Sequence, residues 1–224
     1  MLRVVAATRY DPFTFWQHTP LGRSLDRVSA RPDWRADVVY GNAAGLPEVF
    51  NAAVSRAADA DVILFTHDDV WLDDFYLPIR LREALERFTV VGVAGNRRRV
   101  PRQPSFAFTD DKFTWDTPEH LSGAVVHQKD GSQQVGYYGE CPAAVKLLDG
   151  VFLAAKVETL RRTGVGFDPR FAFHFYDLDF CRTCERAGLT MGTWPIAVTH
   201  ASGGRLGTPE WKAAYETYLA KWGE

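Results

Sequence analysis

The sequence is poor in the features that mark secreted, membrane-spanning and nucleic-acid-binding proteins. It has three cysteines in 224 residues, an odd and small number that gives no disulfide framework and indicates a reducing compartment. Its apolar runs are far shorter than the roughly 20 residues needed to cross a bilayer. Its formal net charge is −2, which argues against the broad basic surface that binds a phosphate backbone. We therefore expect no nucleic-acid partner.

The first residues also lack an export signal. Met1 to Val5 lead directly into an apolar segment, without the basic region, long apolar core and small-residue cleavage site of a secretory signal. We expect a cytoplasmic protein with no transmembrane segment, for which any contact with a membrane would be peripheral and at the inner face. The sequence leaves the oligomeric state open.

The composition itself is that of a globular protein. Hydrophobic residues make up 46% and charged residues 24% of the chain, close to the average of soluble domains. A length of 224 residues suits one α/β domain with a single core. We predict one domain over residues 1–224.

The first half of the chain alternates between strand and helix patterns. Apolar and β-branched runs predict strands at 2–7, 37–40, 61–65 and 89–94. Apolar residues at helical spacing predict a helix from Leu46 to Ala57, and a second helix runs toward Phe88. This order predicts a Rossmann-like, mainly parallel central sheet with helices on both faces. Ligands bind beyond the carboxyl ends of such strands, so we expect a site at 66–69.

The second half is predicted to form a smaller, mixed region. Residues 96–145 are rich in Pro, Gly, Gln, Ser and aromatics, which favours loops and short antiparallel strands that cover the site. Later patterns predict a strand at 151–155, a short helix closed by Gly164, a helix at 178–187, a strand at 193–199 and a helix that begins after Thr208.

Asp68 and Asp69 stand side by side at the end of the predicted strand 61–65. Adjacent carboxylates at the end of a buried strand repel each other unless a cation or hydrogen-bond donors compensate. A divalent ion such as Mn²⁺ or Mg²⁺ takes oxygen ligands and bridges readily to phosphate. The alternative is that both acids only cap the following turn, and this dipeptide alone does not decide between the two.

Two further candidates lie later in the chain. Asp177 precedes a predicted helix within the segment 174–182 and is the candidate general base; the alternative is an ordinary helix N-cap. His200 follows a predicted strand and precedes the small residues 201–204. A neutral imidazole there can bind a metal, and small residues let a phosphate approach the backbone. The alternative for His200 is a hydrogen-bonded loop histidine.

In this order the segments resemble the family 2-like glycosyltransferases of GT-A fold, especially small bacterial members with a His-Asp-Asp-Val segment. The resemblance runs from about Val4 to Gly204 and is carried by segments 45–53, 65–70, 148–152 and 173–182. It implies a nucleotide-binding half at 1–95 and an acceptor-side half at 96–224. Thr66 stands where the family has the first acid of its Asp-x-Asp element, and Tyr176 stands where it has a glutamate.

The resemblance also implies roles for individual residues. The implied metal ligands are Asp68, Asp69 and His200. The implied base is Asp177. The residues implied to contact the donor, or to line the sugar and acceptor pocket, are Thr8, Arg9, Asn42, Asn51, Asp69, Asp149 and Gly150.

The implied activity is a metal-dependent transfer of a hexose-like sugar from a sugar nucleotide, with a UDP-sugar as the favoured donor, to a carbohydrate or lipid-linked saccharide in polysaccharide biosynthesis. A single displacement inverts the anomeric centre. Two alternatives stay open. A nucleotidyltransferase can use a similar sheet, but such enzymes usually carry a glycine-rich basic loop after the first strand, where this chain has residues 9–12. A catalytically silent carbohydrate-binding or scaffold protein would explain Thr66 and Tyr176.

Overall fold

The computed structural model describes residues 1–129, 131–202 and 205–224, which form two β-sheets and seven helices. The helices are α1 (Pro12–His18), α2 (Pro20–Asp26), α3 (Leu46–Arg56), α4 (Leu77–Arg87), α5 (Val157–Thr163), α6 (Tyr176–Arg186) and α7 (Pro209–Trp222). The strands are β1 (Leu2–Ala7), β2 (Trp34–Val39), β3 (Val62–Thr66), β4 (Val70–Leu72), β5 (Val90–Gly92), β6 (Ala94–Asn96), β7 (Leu121–Lys129), β8 (Ser132–Gly139), β9 (Ala143–Val145), β10 (Leu147–Leu148), β11 (Phe152–Lys156), β12 (Met191–Thr193) and β13 (Val198–His200).

The larger sheet has the strand order β2-β1-β3-β11-β5-β12-β9. Strand β1 pairs in parallel with β2 and β3, and β12 pairs in parallel with β5. Strands β11 and β9 run antiparallel to their neighbours. Because β3 lies inside the sheet and ends at Thr66, the residues that follow it emerge at the middle of the carboxyl edge, where α/β sheets bind their ligands.

The smaller sheet is mixed, with the order β10-β6-β7-β13-β4 and β8 paired with β7. Toward one edge of this sheet, His200 of β13 lies opposite Val70 of β4 and His127 of β7. The backbone N–H of Ala201 also donates to the carbonyl of Asp69 at 2.9 Å. The smaller sheet therefore brings the end of β13 beside the residues that follow β3.

A cluster of buried aromatic side chains packs near the carboxyl end of β3 in the larger sheet. Phe50 of α3 contacts Phe65 of β3 and Tyr176 of α6, with ring centroids 4.9 and 5.8 Å apart. Phe167 stacks on Phe180 at 4.3 Å. These side chains are buried, and close packing of this kind restricts rotamer changes. The first turn of α6 is thereby fixed against the end of β3.

The backbone just before α6 has an unusual conformation. Phe175 adopts a left-handed φ of 65°, a region that costs a residue with a side chain on the order of 1–3 kcal/mol. Its ring packs between the aromatic rings of Trp211, Tyr215 and Tyr218 on α7, at centroid distances of 5.2, 5.4 and 5.3 Å. Burial in this aromatic stack offsets the strain and sets the direction in which α6 begins.

Most predicted elements are present. The predicted helix closed by Gly164 is α5, and Gly164 has the left-handed φ of 65° expected of such a cap. The predicted single strands at 89–94 and 193–199 are wrong, because each range is divided between the two sheets. The first falls on β5 and β6, and the second falls on β12 and β13, with Pro195 between them. Helices α1 and α2 were not predicted. Among the described residues, the structure contains no helix that is both long and apolar enough to cross a membrane.

Candidate active site

Segments that are far apart in the sequence meet beyond the carboxyl end of β3. The hydroxyl of Tyr176 lies 2.8 Å from His67 Nε2 and donates to the carbonyl of Gly150 at 2.9 Å. His200 Nε2 lies 3.4 Å from Asp69 Oδ1. The end of β3, the turn before β11, the start of α6 and the end of β13 thus contribute to one site.

His67, Asp69 and His200 form a group with the arrangement of a metal site. Each offers one ligand atom, and the three atoms lie within 4.8 Å of one another. His67 Nδ1 is 4.0 Å from Asp69 Oδ1. That oxygen is buried and accepts no well-aligned hydrogen bond from the described residues; its contact with His200 Nε2 is long, at 3.4 Å. A buried carboxylate oxygen without a well-aligned hydrogen bond is costly, so the group fits a divalent cation that would complete its contacts.

The charges of these side chains suit cation binding. Burial opposes ionisation of Asp69, but His200 and His67 outweigh it and lower the pKa of the carboxyl to about 2. Burial lowers the pKa of His67, which keeps its imidazole neutral. Burial also opposes protonation of His200, yet Asp69 beside it raises the pKa of His200 overall. Since only a deprotonated imidazole nitrogen binds a metal, a cation would compete with a proton for His200.

Asp68 makes different contacts from Asp69. Its Oδ2 accepts a hydrogen bond of 2.6 Å from Thr8 Oγ1 at the end of β1. The carbonyl of Thr8 accepts from the backbone N–H of Asn42 at 2.8 Å, and the side chain of Asn42 closes its own turn onto Ala44. Asp68, predicted to bind the metal, thus adjoins Thr8 and Asn42, which are predicted to contact the donor. The His67-Asp69-His200 group does not include Asp68.

Two other predicted donor contacts lie apart from these groups. Arg9 is exposed just after β1. The amide of Asn51 donates to the carbonyl of Phe167 at 2.7 Å and accepts from the N–H of Phe167 at 2.9 Å. Asn51 therefore ties α3 to the chain before α6, and its contact with a donor stays a prediction. Ser202 Oγ lies 3.2 Å from His200 Nε2, while Gly203 and Gly204, expected near a phosphate, lie outside the described residues.

Asp177 faces the turn that precedes β11. Its Oδ2 accepts from the N–H of Gly150 at 2.9 Å, and its Oδ1 accepts from the N–H of Leu178 at 2.9 Å. Phe175, and not Asp177, occupies the N-cap position of α6. Burial, followed by the nearby Asp149 carboxylate, raises the pKa of Asp177 to about 7. A base is most effective when its pKa lies near the working pH, so Asp177 suits proton transfer at neutral pH.

The raised pKa of Asp177 makes stability depend on pH. The folded protein keeps this proton up to a pH of about 7, whereas an ordinary aspartate loses it near 3.8. The stabilising contribution of protonated Asp177 is therefore complete below 3.8 and is lost as the pH rises through about 7. Asp177→Asn cannot ionise, so we expect it to gain about 2–3 kcal/mol relative to wild type between about pH 5 and about pH 8.

Urea denaturation of both proteins at the two pH values, with a chelator present, measures this change. Other titrating groups affect both proteins alike, so the difference between the two free energies of unfolding isolates Asp177. A difference that is the same at both pH values would mean that Asp177 has an ordinary pKa.

His67 and Tyr176 are the site residues to which the sequence analysis gave no role. A signal for His67 existed, because side chains two positions apart at the end of a strand point to the same side. That spacing pairs His67 with Asp69. No local signal pointed to Tyr176, whose partners lie 109 and 26 residues away in the sequence.

Comparisons with known proteins identify the fold. No protein-family profile matches this chain, and no curated protein matches it in sequence. Among solved structures, the catalytic domain of Drosophila β1,4-galactosyltransferase 7 in complex with xylobiose is similar, with 11% identity, a TM-score of 0.53 and coverage of 96% of this chain and 79% of that one. GalNAc-T7 with UDP, GalNAc and Mn²⁺ has 10% identity, a TM-score of 0.53 and coverage of 98% and 47%.

A third similar structure is S. aureus TarS, residues 1–349, with 12% identity, a TM-score of 0.53 and coverage of 98% and 64%. The chain thus spans about half of the GalNAc-T7 structure and less than two thirds of the TarS structure. At these identities the comparisons establish the fold alone. The chain has the α/β GT-A fold of glycosyltransferases, and this prediction from the sequence is confirmed.

Proposed function

We propose that this chain is a metal-dependent, inverting glycosyltransferase that moves a sugar from a nucleoside-diphosphate sugar to a hydroxyl of a carbohydrate or lipid-linked saccharide. One observation carries the proposal: a group suited to hold a cation is linked, through the Tyr176 hydroxyl and the Gly150 turn, to a carboxylate with a pKa of about 7. The fold, shared with glycosyltransferases, supports it.

The cation site suits Mn²⁺ better than Mg²⁺. Two imidazole nitrogens and one carboxylate oxygen form the ligand group, and Mg²⁺ prefers a shell of oxygen ligands and water. The ion, when bound by His67, Asp69 and His200, would supply positive charge that stabilises the departing diphosphate. The GalNAc-T7 structure contains both UDP and Mn²⁺, which supports a UDP-sugar and Mn²⁺ as the pair to test first.

The remaining roles follow from the side chains around this site. Asp177 accepts the proton of the acceptor hydroxyl as that oxygen attacks the anomeric carbon, and one displacement inverts this centre. Two N–H donors hold the Asp177 carboxylate in place, so little reorganisation accompanies the reaction. Thr8 and Asn42 at the end of β1, with Arg9 beside them, are proposed to contact the nucleotide. Asp149 and Gly150 are proposed to line the sugar and acceptor pocket.

The test is release of nucleoside diphosphate from a panel of UDP- and GDP-sugars in the presence of Mn²⁺, with and without saccharide acceptors. We expect release that requires the metal and increases with an acceptor, and an NMR spectrum of the product should report the inverted anomer. Formation of pyrophosphate from a nucleoside triphosphate and a sugar phosphate would instead indicate a nucleotidyltransferase. Absence of turnover and of metal-dependent nucleotide binding would favour the silent scaffold.

A further inference from the structure

The hydroxyl of Tyr176 has two polar neighbours. It lies 2.9 Å from the carbonyl oxygen of Gly150 and 2.8 Å from His67 Nε2, and the side chain is buried. A carbonyl oxygen can only accept a hydrogen bond, so the single hydroxyl proton points to Gly150. The hydroxyl oxygen is then left to accept a hydrogen bond from the N–H at His67 Nε2.

This hydrogen-bond order fixes the tautomer of His67. With the proton on Nε2, the Nδ1 atom carries a lone pair and faces Asp69 Oδ1 at 4.0 Å, too far for a direct hydrogen bond. Asp69 Oδ1 accepts no well-aligned hydrogen bond in the described part of the chain, and its contact with His200 Nε2 is long, at 3.4 Å. His67 Nδ1 and Asp69 Oδ1 are thus two electron-pair donors 4.0 Å apart, an arrangement that a cation bound to both would stabilise.

We propose that Tyr176 is a positioning residue for the metal site, which holds the His67 ring in the tautomer that leaves Nδ1 free to bind the ion. The inference rests on the proposed function only through its metal site, not through sugar transfer. A histidine that binds a metal commonly donates its other ring N–H to a fixed acceptor, which sets the tautomer and the orientation of the ring. Here that acceptor is a tyrosine hydroxyl, which is itself held by a backbone carbonyl.

This role gives a physical reason for a tyrosine at position 176, where the glycosyltransferase family that the sequence resembles has a glutamate. A glutamate carboxylate could accept from His67, but when ionised it has no proton to donate to the Gly150 carbonyl. It would also bring a second negative charge beside Asp177. A tyrosine hydroxyl is neutral and acts as donor and acceptor at once, so it satisfies both neighbours.

Gly150 completes the arrangement. A Cβ atom at this position would lie 2.3 Å from the Tyr176 hydroxyl oxygen and 3.1 Å from the Cβ of Asp177, so glycine is required for the close approach. The carbonyl of Gly150 accepts from Tyr176, while its N–H donates to Asp177 Oδ2. The Gly150 residue therefore links the orientation of the His67 ring to that of the proposed base.

The first test is Mn²⁺ affinity of Tyr176→Phe, measured without any sugar nucleotide by calorimetry or by electron paramagnetic resonance of the free ion. Loss of a partner of this kind weakens metal binding by about 10–100-fold, and we expect a loss in this range. The matched control is Tyr138→Phe, which removes another tyrosine–histidine contact of 2.8 Å, to His127 Nε2, outside the group of three ligands. The control should bind Mn²⁺ like wild type.

A second measurement needs no variant. Proton–nitrogen correlation spectra of the wild-type histidine side chains report which ring nitrogen carries the proton, and we expect Nε2 for His67. A proton on Nδ1, or equal Mn²⁺ affinity in Tyr176→Phe and wild type, would overturn the role of Tyr176 and leave the proposed activity standing. Absence of Mn²⁺ binding to wild type would instead contradict the metal site and with it the metal-dependent activity.

Discussion

Asp177→Asn is expected to lower the turnover number for sugar transfer by about 10²–10⁴-fold, the usual contribution of a general base. The amide oxygen of asparagine can still accept the hydrogen bond from Gly150 N–H that the carboxylate accepts at 2.9 Å. It cannot take up the proton of an acceptor hydroxyl. The donor should therefore bind within about twofold of wild type, because the change acts on the transition state and not on ground-state binding.

The matched control is Asp179→Asn, two positions along the same helix. Asp179 is buried, pairs with Lys221 at 2.6 Å and accepts from Trp222 Nε1 at 2.9 Å, so it ties α6 to α7 and does not contact the Gly150 turn. We expect a lower melting temperature and an unchanged turnover number. If Asp177→Asn keeps most of its activity in steady-state assays, the base is another residue.

The elements that frame the site could be predicted where the signal is local. Most of the apolar run 61–65 lies in β3 and is almost entirely buried, because a strand inside a sheet that is covered on both faces has no polar face. The cap at Gly164 and the start of α7 at Thr208 also follow from local rules, and Thr208 does accept from the N–H of Trp211 at 3.2 Å. Such signals need no knowledge of distant residues.

Helices α1 and α2 were not predicted, although their sequence signals are also local. Each has only seven residues, too few to display a convincing apolar period. Their capping signals were nevertheless present, because Asp11 and Thr19 each precede a proline and accept a hydrogen bond from the helix they begin. A search for caps before periodicity would have found both helices.

The features that could not be predicted depend on tertiary contacts. The left-handed conformation of Phe175 is stabilised by rings from α7, about 40 residues further along the chain. The contact between Tyr176 and His67 joins residues 109 positions apart. One sequence gives no information about such pairs, so it suggested Asp177 as a base but not the way in which Tyr176 and Gly150 hold the site together.

Asp69→Asn is expected to weaken Mn²⁺ binding by at least about 100-fold, more than the loss of a residue that only orients a ligand. Asp69 supplies the only carboxylate oxygen in the group of three ligands, and that oxygen accepts no well-aligned hydrogen bond from the described residues. Replacing it with a neutral amide removes the charge that attracts the ion. Calorimetry with Mn²⁺ in the absence of nucleotide measures the change, and donor binding should lose its dependence on the metal.

Asp68→Asn is the matched comparison, because the resemblance assigns a metal-binding role to both acids. Asp68 accepts from Thr8 Oγ1, so an asparagine oxygen can keep that hydrogen bond while the ligand group stays intact. We expect Asp68→Asn to weaken Mn²⁺ binding by no more than about tenfold, the size of a nearby charge effect in a solvated cleft. A larger loss in Asp68→Asn than in Asp69→Asn would mean that the ion is bound by Asp68, and that His67 with Asp69 is not the ligand pair.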